Sequence, residues 1–169
     1  MADINKLHRL PEAEAAALVE MLFFAYRDFV KDPDQILEAL GFGRAHHRVL
    51  HFVGRSPGMT VAQLLDMLRI TKQSLSRVLK ELLEKNYVYQ KAGPEDRRQR
   101  LLYLTEDGHQ LWLELITPQI KRFQDAVSQL GGQDGGMYRG LFLQLINPEN
   151  RAAAEDWINR ADKSESGAP

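Results

Sequence analysis

Residues 71–108 constrain the fold more than any other stretch, because one short window holds a helix, a strand, a charged turn, a second strand and a new helix start. Thr71 stands in the position of an N-cap. Behind it Leu75, Val78, Leu79, Leu82 and Leu83 recur at helical spacing, which predicts an amphipathic helix with those side chains inward. Lys72, Gln73, Ser76 and Lys80 are then left outward, with Ser74 and Arg77 beside them. Asn86 is suited to end the helix in a left-handed conformation. Residues 87–91 and 100–104 read as strands joined through Gly93-Pro94-Glu95-Asp96-Arg97-Arg98-Gln99. Thr105, followed by Glu106 and Asp107, opens a long helix reaching about residue 130, with Pro118 expected to kink it.

Upstream, Thr60 caps residues 61–68, where Val61, Leu64, Leu65 and Leu68 share a face, and Arg69-Ile70 is a tight turn. Two short helices so joined, followed by a cationic hairpin, make a winged helix-turn-helix, with the second helix of major-groove size. Residues 44–54 form a helix with Val49, Leu50 and Val53 inward. A first helix is expected over 11–29, with an apolar stripe at Leu18, Leu22, Ala25 and Phe29 widened by Met21, Phe24 and Val30. Asp32-Pro33-Asp34 should stop it and open a short helix over 34–40. Gly41-Phe42-Gly43 is a break. Residues 131–136 form a flexible joint, residues 137–147 are apolar enough to be buried, and residues 148–161 begin a final helix. The expected fold class is mainly α with a small antiparallel β-hairpin wing. Its expected parts are N-terminal dimerisation helices (1–43), a winged head (44–108), C-terminal dimerisation helices (109–161) and a disordered tail (162–169).

With 22 Lys and Arg against 23 Asp and Glu, the net charge of −1 hides an asymmetry. Residues 69–103 hold nine basic and four acidic side chains, so +5, which leaves −6 for the rest. A concentrated cationic segment supplies a local field for phosphates. The absence of cysteine excludes disulfides, thiolate metal sites and thiol redox sensing by this chain. No secretory signal and no apolar run of about 20 residues is visible, so a cytoplasmic protein without membrane contact is expected.

Met59-Thr60-Val61-Ala62-Gln63-Leu64, Ser74-Leu75-Ser76-Arg77-Val78-Leu79-Lys80-Glu81-Leu82 and the run from Pro94-Glu95-Asp96-Arg97-Arg98 through Leu104-Thr105-Glu106-Asp107-Gly108 resemble the MarR family of transcriptional regulators. The close match spans roughly 65 residues. The resemblance implies a homodimer with intertwined terminal helices, two winged heads on a pseudo-palindromic double-stranded DNA operator, and in many members release by a small phenolic or anionic effector. It also implies a minor-groove role for Arg97 or Arg98, with Asp96 holding the tip by pairing with a neighbouring arginine. Gly93 stands where the family more often has an acidic residue, which bears on the turn geometry.

The expected DNA-binding residues are therefore Thr71, Lys72, Gln73, Ser74, Ser76, Arg77, Lys80, Asp96, Arg97, Arg98 and Arg100. A helix N-terminus suits a phosphate, Gln73 can read adenine bidentately, and Arg77 can read guanine or hold a phosphate. Arg100 is read as a phosphate contact or a sheet-edge ion pair. The rival reading makes this a solvated face, with Arg77 paired to Glu81 or Glu84. His47 and His51 have an i, i+4 spacing that can ligate zinc, with His46 beside them, but no cysteine or acidic cluster accompanies them. No metal and no cofactor is expected. Tyr26, Phe29, Phe42, Trp112, Phe123, Phe142 and Trp157 read as core or dimer interface, or as pocket lining. Repression is the expected outcome, and the alternative function is a protein-interaction module built on a winged helix. An enzyme is not expected: there is no nucleophile–base pair, phosphate loop or catalytic carboxylate pair.

Overall fold

The computed structural model describes residues 10–132 and 135–165, the last five of these as backbone only. α1 runs Glu12–Ala39 as one continuous helix, where the sequence predicts a stop at Asp32-Pro33-Asp34. Pro33 has no N–H to give the Phe29 carbonyl, and such a gap normally ends or bends a helix. Here Gln119, itself buried, turns its Nε2 to that carbonyl at 3.4 Å, and the Pro33 ring is buried. The tertiary partner replaces the missing donor, so the helix continues. It ends in a Schellman motif: Gly41 is left-handed (φ 71°), its N–H donates to the Glu38 carbonyl, and the Phe42 N–H donates to that of Leu37.

α2 (Arg44–Arg55) buries Val49, Leu50 and Val53 completely. A two-residue strand β1 (Met59–Thr60), too short to be seen in the sequence, leads into α3 (Val61–Leu68). Thr60 caps α3 in a capping box with Gln63. α4 (Lys72–Glu84) follows, capped by Thr71, whose Oγ1 accepts the Ser74 N–H at 3.1 Å. Leu75, Val78, Leu79 and Leu82 are buried as the spacing predicts, and Asn86 is left-handed at φ 60°.

β2 (Val88–Ala92) and β3 (Arg100–Leu104) form the hairpin, and β1 adds on the other edge of β3 to give the order β1-β3-β2, all antiparallel. The register opposes Tyr89 to Tyr103, and their rings stack at 5.4 Å. α5 (Glu106–Gln129) contains Pro118 and is capped by Thr105. α6 (Gly135–Leu145) and α7 (Pro148–Glu165) complete the chain. Residues 162–165 are thus helical where disorder is expected; 166–169 lie outside the described residues. Residues 137–147 were expected to be buried, yet α6 buries none of its side chains within this chain. The stripe on α1 is likewise open, with Leu18, Leu22, Met21 and Phe24 each 46–62% exposed.

The core lies between α2, α4, α5 and the sheet, around Leu50, Leu64, Leu75, Leu82, Leu102 and Leu115, all essentially inaccessible. Gly108 explains the Leu-Thr-x-x-Gly pattern, since a Cβ there would overlap the Tyr87 carbonyl oxygen. Replacing Gly108 with Ala should therefore destabilise the fold by about 1–3 kcal/mol, read as a lower urea midpoint at fixed protein concentration. An unchanged midpoint would refute this packing account.

Candidate nucleic-acid interface

Thr71 fixes where α4 begins, and its buried leucines fix which way it faces. Thr71, Lys72, Gln73, Ser74, Ser76, Arg77 and Lys80 are all exposed. Arg77 forms no ion pair among the described residues, and the two acids within helical reach are engaged elsewhere. Glu81 accepts from His46 at 2.8 Å, and Glu84 faces Lys80 at 3.7 Å. Arg97, Arg98 and Arg100 are exposed too and form no ion pair among the described residues. Some cations elsewhere are paired with acids: Arg44 with Asp34, Lys121 with Asp125, Arg122 with Asp32.

Asp96 holds the wing tip differently from the expected pairing with an arginine side chain. Its Oδ1 accepts the Arg98 backbone N–H at 2.9 Å, an Asx-type turn that leaves both guanidinium groups unencumbered. Gly93 is buried beneath the tip: its N–H donates to the Gln99 carbonyl, and a Cβ there would come within 2.7 Å of the Asp96 carbonyl oxygen. The glycine thus has a packing role in place of the family's acidic residue. Lys91 lies over the Tyr89 and Tyr103 rings at 5.5 and 5.1 Å, a cation–π pair that only the strand register brings together.

α4 is fastened at its far end as well. Lys85 Nζ donates to the Leu40 carbonyl at 2.6 Å and sits over the Phe42 ring. His46 is buried, and its Nδ1 accepts the Gly43 N–H at 3.1 Å, so the ring proton must be on Nε2 and donate to Glu81. That assigns His46 a structural task that its sequence position does not reveal.

No group of three or more His, Cys, Asp or Glu that could hold a metal ion occurs among the described residues, so His47 and His51 have no third ligand of that kind there. Instead they line a cavity of about 310 Å³ between α1, α2 and α5, with Tyr26, Phe29, Arg48 and Phe52. Burial lowers the His47 pKa, and pushes that of His51 down to about 4, with the nearby His47 and Arg55 acting in the same direction. Of the other aromatic residues, Phe42 is core, Trp112 packs on Gly54, Phe123 meets Phe29 and Phe142 edge-on, and Trp157 meets Phe52.

A family model described as MarR family matches residues 40–99. The HTH-type transcriptional regulator PetP of Rhodobacter capsulatus is 43% identical over 133 residues, covering 79% of this chain and 80% of PetP. The chain belongs to the MarR family of transcriptional regulators. Its fold agrees with that of a SlyA-like transcription regulator from Listeria monocytogenes (TM-score 0.62, 18% identity, covering 89% of this chain and 95% of that one). It also agrees with a MepR mutant from S. aureus solved bound to an oligodeoxyribonucleotide (TM-score 0.53, 20% identity, 76% and 92% covered). The family and these relatives are transcription regulators, not enzymes. No helix among the described residues is long and apolar enough to cross a membrane.

The histidine burial carries a pH consequence. A histidine with a folded pKa below its unfolded value takes up fewer protons when folded, so the stability it allows is complete above about pH 6.5 and falls as pH drops towards 4. Replacing His51 with Gln should flatten the pH dependence of the thermal midpoint between pH 7 and 5. An unchanged slope would show that His51 is not a buried neutral group.

Proposed function

We propose that this regulator binds double-stranded DNA directly as a homodimer, with residues 44–108 as the DNA-binding head. The observation that carries the reading is the set of exposed guanidinium groups on α4 and the wing (Arg77, Arg97, Arg98 and Arg100), none of which has an acidic partner among the described residues, whereas Arg27, Arg44 and Arg122 do. Lys72, Gln73, Ser76 and Arg77 address the major groove, the α4 N-terminus with Thr71 and Ser74 addresses a phosphate, and Lys80 adds charge further along. Arg97 or Arg98 enters the minor groove from the tip that Asp96 shapes, and Arg100 holds a phosphate.

Dimerisation through α1, α5 and α6 accounts for apolar surface that one chain does not cover. Phe23, Phe24, Leu130, Met137 and Leu145 are each 59–70% exposed. An apolar cleft of about 290 Å³, lined by Leu22, Ala25, Phe29, Phe123 and Phe142, lies among the same helices. Exposed patches of this kind mark association surfaces. A two-fold dimer would offer two recognition helices to successive major grooves, about 34 Å apart. Covering a promoter in this way represses. The α1–α2–α5 cavity is the place for a small effector, since Arg44 and Arg48 line it together with the rings of Tyr26, Phe29 and Phe52.

Two experiments test this reading. Affinity for a duplex selected from a random pool should fall steeply between 50 and 200 mM salt (on the order of tenfold or more), and the double change R97A/R98A should cost about 2–4 kcal/mol of binding free energy. Salt-independent affinity, or binding untouched by that double change, would favour the protein-interaction module instead. Replacing Leu22 and Phe142 with Glu should yield a monomer by sedimentation and weaken operator binding; an intact dimer would place the interface elsewhere.

A further inference from the structure

The turn that delivers the chain into α4 is gripped at two adjacent residues from outside the helix pair. The Leu68 carbonyl, at the end of α3, accepts Arg48 Nη2 from α2 at 2.9 Å. Next to it Arg69 adopts the left-handed conformation, φ 49° and ψ 45°, where glycine is the usual occupant and a side chain brings strain. An arginine at such a position needs a reason in its side chain. Its Nη2 donates to Asn150 Oδ1 at 2.7 Å, in the first turn of α7 and 81 residues away in sequence.

α7 is itself anchored at several points. Arg151 donates to the Ile146 and Gln144 carbonyls at the end of α6, both at 2.8 Å, and Arg139 of α6 donates to Asn159 at 2.7 Å. Further along, Trp157 meets the Phe52 ring edge-on at 4.9 Å and lies 6.5 Å from His51. Phe52, His51 and Arg48 all line the α1–α2–α5 cavity.

We propose that α7 is a positioning element for the recognition helix, holding the α3–α4 turn through the Asn150–Arg69 bond while Arg139, Arg151 and Trp157 fasten it to α6 and α2. The proposal rests on the DNA-binding reading of α4. It adds that the C-terminal helix, which meets DNA nowhere in that reading, sets operator affinity. Because α6 carries exposed apolar side chains assigned to the dimer interface, α7 links that interface to the DNA head through the Arg139–Asn159 bond, its own helical backbone and the Asn150–Arg69 bond. An occupant of the cavity would touch the same path at Arg48, His51 and Phe52.

The test uses the full chain in three variants. Asn150→Ala removes the acceptor, Asn150→Asp keeps an acceptor for the guanidinium, and Trp157→Ala loosens the far end of α7. Asn150→Ala and Trp157→Ala should weaken binding to the selected duplex by about 3- to 10-fold, as expected for one hydrogen bond to a charged group or one packing contact. Asn150→Asp should stay within about twofold of the parent. Without DNA, amide exchange over residues 69–73 should quicken in Asn150→Ala and return to parental rates in Asn150→Asp, at unchanged dimer mass. Parental or tighter DNA binding by Asn150→Ala, or failure of Asn150→Asp to restore it, overturns the proposal. If the parent binds no duplex, the DNA-binding reading fails. The exchange rates then still decide whether α7 holds the turn, and parental rates in Asn150→Ala would overturn that as well.

Discussion

The apolar seam between α2 and α4 is the contact on which the rest of the molecule depends. Val49, Leu50 and Val53 on one side and Leu75, Val78, Leu79 and Leu82 on the other are all buried, most of them completely. Each such side chain contributes roughly 1.5–3 kcal/mol relative to exposure, so rotating α4 about its axis would forfeit several of these terms at once. Locking the inner face also fixes the outer one. The polar and cationic side chains of α4 are presented to solvent because the opposite side has no freedom to turn. β3 then packs behind the seam through Leu102 and carries the wing, so the hairpin arginines are placed by the same core.

Charge is distributed in a way that supports that presentation. Neither acidic residue near the end of α4 pairs with an α4 arginine: Glu81 accepts from the buried His46, and Glu84 faces the helix's own exposed Lys80. At the wing, Asp96 spends its carboxylate on a backbone N–H. Carboxylates close to the candidate interface thus stabilise the scaffold without neutralising its arginines. A surface prepared to meet phosphates needs this arrangement, because an arginine already paired must break that pair before it can bind.

Much of the head was legible from local chemistry. Thr60, Thr71 and Thr105 cap the helices expected of them, Asn86 is left-handed, and the two hairpin strands pair with their predicted ends shifted by one residue on β2. Caps and periodic leucines act within one or two turns, and so a sequence window contains their whole physical cause. The arms were less legible. Pro33 carries a strong local stop signal, and its suppression depends on Gln119, 86 positions away. The stripe on α1 and the apolar run of α6 read as buried in the sequence. Periodicity says only that a face is apolar, not which molecule covers it, and in this chain those faces stay open.

The sequence by itself determined the helix-turn-helix, the cationic wing and the residues that face outward from α4, because capping, amphipathic spacing and charge are local properties. Tertiary structure alone decided that α1 passes through a proline, that His46 is a buried strut between Gly43 and Glu81, and that His47 and His51 share a cavity wall. It also decided that Arg69 reaches across to Asn150. Each of these rests on one polar or aromatic group meeting a partner remote in the chain. Such meetings are set by how the helices pack, and no pattern of neighbouring residues encodes them.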